Sequence, residues 1–239
     1  MLIPMNKITN QFRPDYVSIP GETLLETLET IGMSQAELAD RMGRPKKTIN
    51  EIIQGKTAIT AETALQLEMV LGVSASFWLN RERQYQEAKA RIEIEEQLAE
   101  QLDWLESENI PVKEMCKWGW VEKQPDKYEQ LKSVLSFFGV ASTKQWNVVY
   151  ERHEVLFRQS QARPVSHGAV SAWLRKGVLD AYAIDCAPYD KKKFSETLQE
   201  VRCMTIKPVE SIWSNVVTEC AEAGVAVVVV PAFPNTGVS

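Results

Sequence analysis

Histidine is scarce in this chain: His153 and His167 are the only two among 239 residues. Cysteine is little commoner. Cys116, Cys186, Cys203 and Cys220 stand far apart, with no C-x-x-C pair and no histidine cluster beside them. This spacing excludes a zinc site or disulfide framework and predicts reduced, mostly buried thiols. No run of about 18 apolar residues occurs, and the N-terminal "MLIPMNKITNQF" has no basic segment leading into an apolar one. A cytoplasmic protein with no membrane partner is expected. Glycine-rich phosphate loops, a nucleophile elbow and the dinucleotide fingerprint are also missing. No catalytic residue, metal ligand or cofactor is therefore predicted, and no enzymatic activity. Nor is positive charge in excess, since 27 Lys and Arg face 32 Asp and Glu for a formal net charge of -5. That balance excludes nucleic-acid binding through bulk charge, so any DNA contact must come from a local patch.

What is present is a globular composition, 44% hydrophobic and 25% charged, over a length that suits two domains better than one. Residues 1–20, with Pro4, Pro14 and Pro20, read as an irregular N-terminal arm. Residues 21–80 read as short, clearly punctuated helices. Leu24, Leu25, Leu28 and Ile31 form an apolar stripe that ends before Gly32. Ser34 and Glu37 have the S-x-x-E spacing of a capping box, and Gly43 supplies the turn after Leu38, Ala39 and Met42. Pro45 suits the first turn of a third helix, where its missing N–H costs nothing, and Gly55 ends it. Thr60 opens a fourth helix with Ala64, Leu67 and Leu71 inward, and Gly72 closes it.

From Ser74 to about Glu108 helix formers dominate, and residues 81–110 read as a long helical connector. Its loose stripe of Tyr85, Ala88, Ile92, Ala99 and Leu102 fits either a dimer contact or packing on the same chain. Phe77 and Trp78 fit core positions at helical spacing, or an exposed platform for a partner. Residues 111–239 read as a helix-rich C-terminal domain for regulation or partner binding, broken by prolines and glycines. Its Lys191, Lys192 and Lys193 fit a solvated helix start, or an extra contact to phosphate or a partner. The unalternating run Val225–Val230 predicts at least one strand buried on both faces. The expected fold is thus mainly α: a five-helix helix-turn-helix domain, a helical connector and a helix-rich α+β C-terminal domain.

One stretch departs from the overall charge. Between Arg41 and Lys56, five cations (Arg41, Arg44, Lys46, Lys47 and Lys56) face one carboxylate, Glu51. In the third helix Ile49, Ile52 and Ile53 share one face, while Lys46, Lys47, Asn50 and Gln54 share the other. Two short helices joined by a glycine turn, the second cationic on its outer face, fit a helix-turn-helix. In that geometry Ser34 and Gln35 present a helix N-terminus to backbone phosphate. Lys46, Lys47 and Asn50 reach base edges, Lys towards guanine acceptors and Asn towards adenine. Lys56 meets phosphate, and Arg44 and Thr48 belong to the same contact set. A helical bundle with a basic face fits the pattern as well.

Residues 18 to about 90 carry "PGETLLETLE", "SQAELA", "TIN.IIQGK", "AETALQLE" and "FWLN". With these motifs the segment resembles the HigA-type antitoxins, a branch of the Cro/repressor-like (XRE) helix-turn-helix regulators. The resemblance implies a homodimer that binds a palindromic double-stranded DNA operator, represses its own operon and neutralises a cognate toxin. The remainder, with "VLSFFGVAS", "FRQS", "AWLRKGVLDAYAI" and "AEAGVAVVVVPAFP", is similar to the C-terminal extension of longer members, which runs into an ImmA/IrrE-like metallopeptidase domain. There the H-E-x-x-H helix supplies two zinc ligands and a base. This chain departs from that pattern, because "HEVLF" begins at His153 but places Phe157 where the second ligand belongs. Two further readings stand beside the antitoxin. One is a stand-alone stress or phage regulator with a sensing C-terminal domain. The other is the regulatory part of a metallopeptidase whose natural chain continues beyond Ser239.

Overall fold

A computed structural model describes residues 18–150, 166–204, 206 and 208–233. The chain divides into two compact units, Met1–Glu96 and Gln97–Ser239. In the first, α1 (Pro20–Ile31), α2 (Gln35–Met42), α3 (Lys46–Ile53) and α4 (Ala61–Leu71) are followed by the long α5 (Ala75–Ala99). Each boundary has a local cause. Gly32, Gly43 and Gly72 take left-handed conformations at the ends of α1, α2 and α4, where a side chain would be strained. Ser34 and Thr60 cap α2 and α4 by accepting hydrogen bonds from the N–H of Glu37 and Thr63. Only one arm of the predicted capping box forms in this way, while Glu37 turns its carboxylate to Arg41 at 2.6 Å.

The core of this unit joins Leu24 and Leu28 of α1, Leu38 and Met42 of α2, Ile49 and Ile52 of α3, Ala64 and Leu67 of α4, and Trp78 of α5. The first turn of α5 thus completes a five-helix domain. Trp78 is a core residue, whereas its neighbour Phe77 lies at the surface, edge-on to the indole. Beyond the core contacts α5 is largely exposed, including Ile92 and Ile94. Pairs one turn apart staple it: Arg83–Glu87 at 3.5 Å, Arg91–Glu87 at 2.8 Å and Lys89–Glu93 at 4.0 Å. Arg91 holds the Glu87 carboxyl below the ordinary carboxylate value.

The predicted connector is interrupted. After Ala99 the chain turns, and a short α6 (Trp104–Ser107) follows, because Leu98 and Trp104 enter the core of the second unit. That unit continues with α7 (Val112–Lys117), α8 (Lys127–Phe138), α9 (Thr143–Tyr150), α10 (His167–Tyr182), α11 (Lys191–Met204) and α12 (Val209–Glu222). Met115, Leu131, Val134, Phe138, Trp146 and Ala172 are among its most buried core residues. Tyr150 donates to the Phe138 carbonyl at 2.9 Å, and Arg175 to the Phe137 carbonyl at 2.9 Å.

The predicted buried strand is overturned. Among the described residues no strand is present, and Val225–Val230 has no partner strand with which to form a ladder. The run is partly buried, with Val229 71% exposed. It is held instead by side chains: the Trp173 indole donates to the Val230 carbonyl at 3.1 Å, and Phe233 stacks on Trp118 at 4.7 Å. No helix among the described residues is long and apolar enough to cross a membrane. The expected arm through Val17, and the "HEVLF" segment with His153, lie outside the described residues.

Candidate nucleic-acid interface

The backbone between α2 and α3 makes a tight corner. Gly43 sits at φ +63, and the Arg44 N–H closes the end of α2 on the Ala39 carbonyl at 2.9 Å. Pro45, with φ -60, then starts α3 without offering an N–H. Ile49 and Ile52 are buried behind α3, so the helix is pinned by its apolar face. Lys46, Lys47 and Asn50 lie exposed on the other face. Thr48 is half-buried between the two faces, and Ser34 and Gln35 sit at the start of α2, Ser34 exposed and Gln35 half-buried. Lys56 is exposed beyond the end of α3, where its N–H is fixed to the Glu51 carbonyl at 2.8 Å.

Charge on this face is nearly uncompensated. Lys47 is 85% exposed, and its ammonium lies 3.8 Å from the Glu51 carboxylate one turn on. A pair so exposed contributes at most about 1 kcal/mol, which a phosphate displaces readily. The first N–H groups of α2 have no partner within the helix and add partial positive charge at Ser34 and Gln35. Eight residues of α3 span about 12 Å, close to the width of the major groove.

The structure separates Arg44 from the other cations. Its Nε donates to Gln66 Oε1 at 2.5 Å and its Nη2 lies 3.2 Å from Glu62 Oε1. Both partners are on α4, so Arg44 is directed into the fold.

Three features that orient α3 escaped the sequence reading. Gly21 lies so close to the end of α3 that a Cβ there would be 2.3 Å from the Ile53 carbonyl oxygen and 2.4 Å from the Ile52 carbonyl oxygen. Gly55, at φ +68, likewise leaves no room beside Ile19. Arg81 of α5 donates to Ser18 Oγ at 2.5 Å and to Thr23 Oγ1 at 3.3 Å, fixing the start of α1 against α5. The glycines are visible in the sequence, but neither the close approach at Gly21 nor the partner of Arg81 follows from local spacing.

The other sequence candidates are placed elsewhere. Lys191, Lys192 and Lys193 begin α11, where Asp190 accepts from the N–H groups of Lys192 and Lys193, and Lys193 pairs with Glu222 at 3.3 Å. His167 packs at a tilt against Trp146 with ring centres 4.9 Å apart, and its Nε2 lies 3.3 Å from the Tyr150 carbonyl oxygen. Among the described residues no group of three or more His, Cys, Asp or Glu is placed to hold a metal ion.

Residues 24–78 match the family model described as helix-turn-helix. Over 71 residues the chain is 34% identical to the uncharacterized HTH-type transcriptional regulator YddM of Escherichia coli (strain K12), which spans 30% of this chain and 76% of that protein. Over 61 residues it is 39% identical to antitoxin HigA-1 of Vibrio cholerae, covering 25% of this chain and 57% of the relative. Among solved structures, the Pseudomonas aeruginosa antitoxin HigA with the higBA promoter shares 31% identity at a TM-score of 0.33, over 35% of this chain and 91% of that one.

Proposed function

Because this chain belongs to the helix-turn-helix family of transcriptional regulators, we propose that it is a sequence-specific repressor acting through the outer face of α3. The observation that carries this reading is the division of that helix: Ile49 and Ile52 buried behind, Lys46, Lys47 and Asn50 exposed in front. In the major groove the lysines meet guanine acceptors and Asn50 pairs with adenine, while Ser34, Gln35, Thr48 and Lys56 meet the flanking backbone. A helix of about 12 Å reads only a few base pairs, so two copies bind together. Two-fold pairing sets their heads about 34 Å apart on a palindromic operator.

In the cell the protein acts as the antitoxin of a type II pair, repressing its own operon and neutralising a toxin in the cytoplasm. The similarity to antitoxin HigA-1 supports this part. A second reading is a stand-alone stress or phage regulator whose C-terminal unit senses a signal. The separate hydrophobic core of residues 97–239 favours it. Co-purification of a small toxin encoded beside the gene supports the first reading, and ligand-dependent release from DNA supports the second.

The DNA reading is tested by fluorescence anisotropy with a duplex selected from a random pool by the wild-type protein. Replacing both Lys46 and Lys47 with Gln is expected to weaken binding and to flatten the log–log salt dependence, by about 0.9 for each phosphate charge no longer neutralised. Wild-type affinity and slope in the double variant would remove α3 from the interface.

A further inference from the structure

We propose that Arg44 is a positioning residue that ties the α2–α3 corner to α4, and so sets the pose of the reading helix without touching DNA. The proposal rests on the DNA-binding reading above. Glu62 and Gln66 are one turn apart on α4, so their side chains project from the same face. The guanidinium of Arg44 meets them along one edge, with Nε hydrogen-bonded to the Gln66 amide oxygen at 2.5 Å and Nη2 paired by charge alone with the Glu62 carboxylate at 3.2 Å, without a hydrogen bond. That edge is rigid and planar, which suits two acceptors fixed relative to each other.

Burial agrees with an internal role. The Arg44 side chain is 21% exposed, and its Nη2 is sealed from solvent. To reach a phosphate it would have to leave both partners. At the corner itself Gly43 offers no side chain, and a Cβ there would point into open space. By contrast α4 is firmly held, with Ala64 and Leu67 buried and Thr60 capping its start. The Arg44 side chain therefore adds a polar tie from α4 to a corner that Met42 and Ile49 hold from the core side. It also explains a carboxylate near a DNA-binding face. Glu62 is 76% exposed and repels phosphate, yet it is needed to hold Arg44.

The two possible roles give opposite expectations for two variants of the full chain. If Arg44 touched phosphate, Arg44→Lys would keep most of the affinity, and Glu62→Gln would tighten binding to any duplex by removing repulsion. If Arg44 positions the corner, Lys cannot span two acceptors, and both variants lose discrimination. The measurement compares a duplex selected by the wild-type protein with a scrambled duplex of the same composition. The ratio of the two affinities is expected to fall about three- to thirtyfold in each variant, with an unchanged salt slope on the scrambled duplex. Amide exchange across residues 43–49, measured without DNA, is expected to quicken in both. Arg44→Lys with a wild-type ratio, or Glu62→Gln binding both duplexes more tightly, overturns the proposal. Unchanged exchange in both variants overturns it independently of any DNA. If the wild-type protein selects no duplex at all, the DNA-binding reading falls, and the exchange data alone decide whether Arg44 holds the corner.

Discussion

Gly21 offers the sharpest test of how α1 seats α3. A methyl group at this position would stand 2.3 Å from the Ile53 carbonyl oxygen, 2.4 Å from the Ile52 carbonyl oxygen and 2.4 Å from Ile53 Cα. Non-bonded heavy atoms are at ease near about 3.5 Å, so the two helices would have to part by roughly 1 Å. All three obstacles are backbone, and no change of rotamer relieves them. Overpacking of this kind costs typically about 1–3 kcal/mol. On an open helix Gly→Ala acts the other way, stabilising by up to about 1 kcal/mol. The sign of the effect therefore reports whether α1 and α3 meet as described. For Gly21→Ala the expected net loss is about 2 kcal/mol, because the strain exceeds the gain in helix propensity and loosens Leu24 against Ile52. That is a fall of roughly 8–16 °C in the melting temperature of the first unit. It also means about thirtyfold faster amide exchange in peptides covering Pro20–Ile31 and Lys46–Ile53. Calorimetry and exchange mass spectrometry of the full chain would show both. A variant that melts at or above the wild-type temperature, with unchanged exchange in α3, refutes the close approach.

Asn50→Ala is expected to relax the preference for adenine at one operator position by about 1–3 kcal/mol, leaving scrambled duplexes bound as before. Equal loss across all sequences in a selection experiment would assign Asn50 to the backbone instead. Alkaline pH probes the second unit. Burial raises the phenol of Tyr150 above its ordinary value, with Arg175 opposing, so the unfolded chain ionises first as pH passes about 10. The stability contributed by the neutral phenol is complete below that pH and is lost as pH rises through the folded value. Denaturant midpoints should therefore fall more steeply above pH 10 in the wild type than in Tyr150→Phe, and parallel curves would sink the assignment.

Much of the first unit is legible in the residues. Ser34, Gly43, Pro45, Thr60 and Gly72 mark ends that the structure places at those positions or within one residue of them. Of the two apolar stripes, Leu24, Leu28, Ile49 and Ile52 are buried as their spacing requires and Leu25 and Ile53 partly so, whereas Ile31, in the last turn of α1, is 50% exposed. These features depend on groups within four residues of one another, which is the range over which caps and helical periodicity act. The α3 face is legible for the same reason, since burying Ile49 and Ile52 turns Lys46, Lys47 and Asn50 outward.

Other expectations depended on distant groups and fared differently. Val225–Val230 has strand composition, but a strand exists only through a partner, and among the described residues the chain provides indole and aromatic contacts instead. The helix expected from Ser74 to about Glu108 breaks after Ala99 because Leu98 and Trp104 have a core to enter. Arg44 looks like one more cation of a basic patch until Gln66, 22 residues away, takes its Nε.

By itself the sequence determined where α1 to α4 begin and end, and which residues of α2 and α3 turn inward, since both follow from forces acting within a turn or two. Only the tertiary structure decided how α1 presses on α3 at Gly21, to which helix Arg44 is bound, and that among the described residues the valine run has no strand to pair with. These outcomes are set by groups far apart in the chain, whose meeting depends on packing the whole unit and leaves no local pattern to read.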